Sequence, residues 1–289
     1  MKKRITMFLL SLIMMLVFAL PVYADSYENP YYESNEDYLQ YDNLAEAFEA
    51  FEKTIVLDEW YEWFNKLTPE EQETINYRPK NFEETQSDKY RNDYTNASTV
   101  IQVDPLMTTN DKKSDLLKTE DVGIMATLPT SGWELPYNPS FWNSSSVKPY
   151  TNCYCYALNV VTVWDKGMNP GYLSGKTLLP ENLSTSILET YIKADMPYIE
   201  SYTKWNNIGE TSTPAAKSYK VGMCFAPGRD YHFYRQDDDG YWSHKRGASD
   251  LIFWDASQAN IVNPRTCDRN YSSVNYSTWC GFYQYTYTN

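Results

Sequence analysis

Histidine is almost missing from this chain: 289 residues contain two, His232 and His244. Chemistry that needs an imidazole has to use one or both of them. Basic residues are short as well, 25 Lys and Arg against 38 Asp and Glu, for a net charge of -13. No basic stripe matches a phosphate backbone, which excludes nucleic acid as a partner. After residue 20 there is no long apolar run, so nothing beyond the first segment is fit to span a bilayer. Cysteine is limited to five, an odd number, and at least one thiol is left over however the others pair.

What is present begins with an export pattern. Lys2, Lys3 and Arg4 precede an apolar run from Ile5 to Leu20, then Pro21 and the small-residue pattern Val22-Tyr23-Ala24. Residues 1–24 are read as a cleavable signal peptide. The run is short for a retained anchor, no second apolar stretch supports one, and no Cys sits at the cleavage point to carry a lipid. The expectation is a secreted protein, extracellular or associated with the cell wall, with no membrane attachment after signal removal, in a compartment that permits disulfides.

Charge divides the rest. Residues 25–122 hold 24 acidic and 9 basic side chains, a net of -15, whereas residues 123–289 hold 14 and 13, a net of -1. The acidic part has apolar residues at helical spacing from the Asn43 cap (Leu44, Phe48, Phe51, Ile55), continuing through Trp60, Trp63 and Phe64. Thr68-Pro69-Glu70-Glu71 then supplies an N-cap, a Pro at the first helical position and a capping-box Glu, predicting a second helix to about Tyr77. Arg78 to Asp121 reads as a polar linker or loosely packed arm. The aromatic stripe serves as core against the partner helix, or the whole segment 25–122 is a prodomain that covers an active site.

The second part, 123–289, carries helix signals first and strand signals later. A segment rich in Pro, Trp and Tyr, Leu128 to Pro149, is expected to wrap the surface. A helix is predicted from Cys153 to about Lys166, ended by Gly167, and another over Thr185 to Ala194. Strands are predicted at Tyr219 to Ala226, Tyr231 to Gln236, Tyr241 to Lys245, Leu251 to Trp254 and Gly281 to Tyr287. The order is that of an α+β fold with an antiparallel sheet.

Thr151-Asn152-Cys153-Tyr154-Cys155 places a thiol in the first turn of a helix behind an Asn cap. Unpaired N–H groups and the helix dipole there favour a thiolate, which makes Cys153 the candidate nucleophile. Such a nucleophile needs a His to exchange its proton. His232 and His244 lie on two aromatic runs joined by Asp237-Asp238-Asp239-Gly240, an Asp-Gly hairpin signal. Residues across a hairpin can share one face, so His232 is the expected base and His244 the group that orients it, with Asp230 as an alternative orienter. The Cys153 backbone N–H would hold an oxyanion, with Tyr150 or Asn152 as a further donor.

A Cys opening a helix, a His opening a later strand and a polar third residue on the next strand resembles the NlpC-type peptidases. The opening Asn152-Cys153-Tyr154-Cys155-Tyr156-Ala157 is similar to that of the related CHAP amidases. The resemblance covers roughly 150–166 and 220–246 and implies a papain-like domain that cuts peptide or amide bonds, often in bacterial cell walls, acting on a peptide, protein or cell-wall peptide without a cofactor. The chain departs from the NlpC pattern in lacking Ser-Gly after the Cys, and in the gap from Cys153 to His232. The same strings also resemble a group of uncharacterised bacterial and phage proteins, which brings no activity with it.

Two other readings stay beside the hydrolase. Cys153, Cys155, His232 and His244 number four potential zinc ligands, although two Cys this close on a helix diverge. With 27 Tyr and 9 Trp, the chain also suits a secreted binding module that stacks aromatics on a sugar or a protein partner. A Cys267–Cys280 disulfide, with Cys155 and Cys224 as a second bridge or as buried thiols, would leave Cys153 as the odd one.

Overall fold

The computed structural model describes residues 57–79, 100–103, 127–164, 166–199 and 204–287. All of them fall within the compact unit Glu52–Asn289. The signal peptide and the helix start at Asn43 lie outside the described residues.

The molecule is α+β, built around a six-stranded sheet. Chain order runs through helix α1 (57–64), α2 (Pro69–Glu73), strand β1 (Val100–Gln102), α3 (Pro139–Trp142), α4 (Cys153–Ala157), β2 (Val160–Thr162) and α5 (Thr185–Ile199). It continues through β3 (Lys204–Ile208), β4 (Ser218–Ala226), β5 (Asp230–Gln236), β6 (Trp242–Lys245), β7 (Leu251–Ile252) and β8 (Thr278–Thr286). The large sheet is ordered β3-β8-β4-β5-β6-β7 with every pair antiparallel, and β1 and β2 form a separate antiparallel pair. β4 and β5, at the centre, are buried along their whole length. Central strands covered on both faces carry apolar and aromatic residues without alternation, and Tyr219, Val221, Met223, Phe225, Tyr231, Phe233 and Tyr234 fit that rule.

Helix α2 starts with the predicted capping box: Thr68 Oγ1 accepts from Glu71 N–H, and the Glu71 carboxylate accepts from Thr68 N–H. It stops at Glu73, earlier than expected, because the next residues run extended across the domain and bond to the sheet instead. Helix α5 reaches Ile199, beyond the predicted Ala194. The helix at Cys153 is far shorter than predicted. Leu158 caps it and Asn159 follows at φ 56°, the left-handed conformation that ends helices and that Asn tolerates. The chain then enters β2, where the apolar run Val160–Thr162 pairs with Val100–Gln102. β3 was not foreseen; its burial is confined to Trp205, so no alternation marks it.

Sequence charge suggested a boundary at Gly123, and the packing does not follow it. Trp60, Phe64, Ile75 and Tyr77 are buried in the same core as Tyr154, Phe233 and Tyr283. Trp60 stacks on Phe64 at 4.7 Å, meets the edge of Tyr77 at 5.3 Å and donates its indole N–H to Arg229 O at 2.8 Å. Charge patterning reports on surface, whereas these apolar side chains belong to the main core. All five cysteines are free thiols, so the expected bridges are not made: Cys224 Sγ faces His232 O on the adjacent strand and Cys267 Sγ faces Pro264 O in its own turn.

Candidate active site

Cys153 opens α4, and the fold puts that helix end against β5. Asn152 is the N-cap, its side-chain oxygen accepting from Tyr154 and Cys155 N–H, both at 3.1 Å. The Asn152 amide donates to Met168 O at 2.9 Å, so it supports the loop before α5 rather than facing an oxyanion. Cys153 is fully buried, with Sγ 3.9 Å from Tyr231 O. Tyr150, the other expected donor, is 38% exposed, and its backbone carbonyl accepts from Thr162 Oγ1.

The two histidines meet. Register between β5 and β6 pairs Arg235 with Ser243 and Gln236 with Trp242, which makes His232 and His244 diagonal neighbours on one face. His232 Nε2 lies 2.8 Å from His244 Nδ1, and His244 Nε2 lies 3.0 Å from Trp254 O. A carbonyl only accepts, so His244 carries its proton on Nε2 and accepts at Nδ1 from His232 Nε2–H. The lone pair of His232 is therefore on Nδ1. The ring is held between Tyr276, stacked at 4.9 Å, and the edge contacts of Tyr234 and His244.

Bridging the Cys153 backbone N–H and this imidazole is a residue that sequence reasoning did not select, Asn76. It sits in the extended strap 74–79 that follows α2, and it is completely buried. Its Oδ1 accepts from Cys153 N–H at 3.2 Å and from Gly247 N–H at 2.8 Å. Its Nδ2 lies within 2.9–3.2 Å of Asp230 Oδ2, Tyr231 O, Tyr276 Oη and His232 Nδ1. Two backbone donors at one end and a set of acceptors at the other fix which end is oxygen.

Asp230 shares the buried site but does not touch His232. It accepts from Asn76 N–H at 3.0 Å, Tyr77 N–H at 2.7 Å and Tyr276 O–H at 2.7 Å, so it clamps the strap instead of orienting the base. Lys245 closes the back of the site, with Nζ donating to the carbonyls of Lys148, Thr151 and Gly247 at 2.7–3.1 Å. It thereby ties the residue before the Asn152 cap to Gly247, the two sides from which the N–H donors come.

Burial dominates the electrostatics. It pushes the Cys153 thiol well above the usual range, and the Asp230 carboxylate adds to the rise. It pulls His232 well below the usual imidazole range, reinforced by His244 and Arg246. With the strap in place the pair is thus a neutral thiol and a neutral imidazole. Burial also takes Lys245 down to about 7. Among the described residues no three His, Cys, Asp or Glu side chains gather as a set of cation ligands, and none of their helices is long and apolar enough to cross a membrane.

Asn76 and Gly247 lie 77 and 94 residues from Cys153 along the chain, and neither stands in a periodic pattern. The one local signal is Gly247, whose φ of +49° requires a residue that tolerates the left-handed region. A Cβ there would collide with the Glu73 carbonyl oxygen and sit 2.7 Å from that of Ile75.

No family model matches the sequence, and no solved structure matches the fold. A curated protein, insoluble matrix shell protein 1 of Ruditapes philippinarum, is 32% identical over 133 residues, covering 46% of this chain and 80% of the relative.

Proposed function

The chain belongs to the family of the insoluble matrix shell protein 1 of Ruditapes philippinarum; from the geometry of its own Cys and His residues we propose that it is a secreted cysteine hydrolase or acyl transferase with a papain-like site of the NlpC or CHAP type. Cys153 attacks the carbonyl carbon of an amide in a peptide, a protein or a cell-wall peptide. His232 Nδ1 takes the thiol proton and delivers it to the departing nitrogen, while His244 holds the tautomer that leaves Nδ1 free. The N–H groups of Cys153 and Gly247 receive the oxyanion. Secretion rests on the signal pattern in residues 1–24.

One observation supports this reading: a side-chain amide, that of Asn76, spans from two backbone N–H donors to the His232 imidazole. The Asn76 oxygen is on the two backbone donors and its nitrogen is on the lone pair of His232. In this reading the strap 74–79 covers the site.

A second reading is a matrix or binding module without chemistry. The relative's name and the complete burial of Cys153 and His232 favour it. Alkylation at about pH 6, where an ordinary thiol is mostly protonated, separates the two. In an Asn76→Ala chain, Cys153 is expected to label rapidly and to lose that speed when His232→Ala is added. A folded Asn76→Ala chain whose Cys153 stays inert selects the binding module.

A further inference from the structure

The nitrogen end of the occupied site distinguishes one kind of amide from another. Around Asn76 Nδ2 stand a carboxylate oxygen, a backbone carbonyl, a phenol oxygen and an imidazole nitrogen: Asp230 Oδ2 at 3.0 Å, Tyr231 O at 2.9 Å, Tyr276 Oη at 3.1 Å and His232 Nδ1 at 3.2 Å. All four residues are fully buried. An –NH2 group has two hydrogens to offer these acceptors. A peptide nitrogen has one, and its second substituent is a carbon, which would have to lie against an acceptor with no water to compensate. The subsite also suits ammonia, which would be surrounded by acceptors as it leaves.

From this we infer that the site takes a primary carboxamide, the side chain of a glutamine or asparagine in a peptide, and that Asn76 holds its place until the strap 74–79 moves aside. The inference rests on the Cys153–His232 reading above and adds the substrate class. Attack by Cys153 Sγ forms the C–S bond and breaks the C–N bond. The thiol proton passes through His232 Nδ1 to the nitrogen, which departs as ammonia. Water then cleaves the thioester to a carboxylic acid and restores the thiol, or a primary amine takes the acyl group and yields a secondary amide. No oxidant, reductant or metal is needed.

The strap is held by bonds that would each have to break. Asp230 accepts from the N–H groups of Asn76 and Tyr77, Tyr77 Oη donates to Leu178 O, Arg246 donates to Thr74 Oγ1, and at the strap's root Ala248 N–H donates to Glu73 O at 2.9 Å. Asn76 and Asn152 also form part of the wall of a cleft completed by Gly167, Asn169, Tyr172 and Lys176, which places open space beside the strap.

The test uses the full mature chain carrying Asn76→Gly, which removes a side chain equivalent to acetamide. Acetamide and a blocked glutaminyl-glycine dipeptide are compared with N-methylacetamide. Ammonia or methylamine release is the readout, and chains that also carry Cys153→Ala are the blank. Cys153-dependent ammonia release from the primary amides is expected, with N-methylacetamide slower by at least about a hundredfold. Equal turnover of the secondary amide, with Cys153 still reactive toward alkylation, overturns the substrate class and leaves the hydrolase standing. Binding of acetamide without turnover, beside a reactive Cys153, also overturns it and makes the pocket a structural socket. An inert Cys153 removes both readings. Should Asn76→Gly not fold alone, acetamide is expected to restore folding by mass action and N-methylacetamide is not; equal rescue by both overturns the proposed selectivity.

Discussion

Gly247→Ala is the perturbation that most directly asks whether the strap guards the thiol. Gly247 stands at φ +49°, and a Cβ there meets two backbone carbonyl oxygens, that of Glu73 at the end of α2 where the strap begins and that of Ile75 within it. No rotamer change relieves such a collision. Holding Ala in the left-handed region costs about 1 kcal/mol or more. Moving the strap away gives up the bonds from Gly247 N–H to Asn76 Oδ1 and from Ala248 N–H to Glu73 O, each worth about 1 kcal/mol. The closed arrangement therefore loses about 3 kcal/mol, and the opening equilibrium rises by about a hundredfold, since 1.4 kcal/mol is a factor of ten. The assay is alkylation of Cys153 under native conditions, mapped by mass spectrometry, beside a denaturant titration that reads global stability. Labelling should rise about a hundredfold at denaturant concentrations where the rest of the domain stays folded. An unchanged labelling rate in a folded Gly247→Ala chain would refute the idea that access to Cys153 runs through the strap.

Three further outcomes follow from the packing. Lys245 has a folded value near 7 against an ordinary 10.5, so the unfolded chain binds the extra proton between those limits. Stability from this group should climb by about 1.4 kcal/mol per pH unit from 7 upward and be flat below it. The difference in unfolding free energy between the natural chain and Lys245→Met, measured at pH 7, 8 and 9, checks this, and a constant difference would contradict it. Trp60→Ala should destabilise the domain by about 3–5 kcal/mol, because Trp60 lies in the sheet's own core; a shift below about 1 kcal/mol in chemical denaturation would mean that 57–79 is a separable segment. Thr68→Ala removes the capping bond to Glu71 N–H and should cost about 1 kcal/mol, read as a fall in Tm without loss of the fold.

How much of this was legible depended on how far apart the interacting residues lie. The hairpin that unites His232 with His244 was readable because an Asp-Gly turn and two aromatic runs sit within a few residues of each other. The Asn152 cap and the Thr68 capping box were readable for the same reason, being local chemistry at a helix start. The length of α4 was not: the apolar run after Cys153 continues at a spacing that suits a helix, and only the left-handed turn at Asn159, with β1 available as a partner for β2, diverts it into a strand. Asn76 was invisible for a different reason. It follows a short helix in an acidic stretch, and nothing near it in sequence announces that its amide will meet groups brought together from α4, β5, the turn at Gly247 and the loop carrying Tyr276. The choice of Tyr150 as a donor illustrates the converse: closeness in sequence to Cys153 did not bring its side chain to the site, which draws its second N–H from Gly247.

The hydrogen-bonded row from Asn76 through His232 and His244 to Trp254 also has a direction. Its far end divides between a peptide carbonyl, Trp254 O at 3.0 Å, which can receive a hydrogen bond but cannot carry a proton onward, and the Tyr271 hydroxyl, 3.5 Å from the same His244 Nε2. In the proposed mechanism a proton that arrives at His232 Nδ1 therefore meets, past His244, a carbonyl that ends the row and a more distant hydroxyl that could extend it. On the proposed reading the shorter branch is a dead end, which keeps a proton drawn from Cys153 near His232 for return to a nitrogen or to the thiol itself.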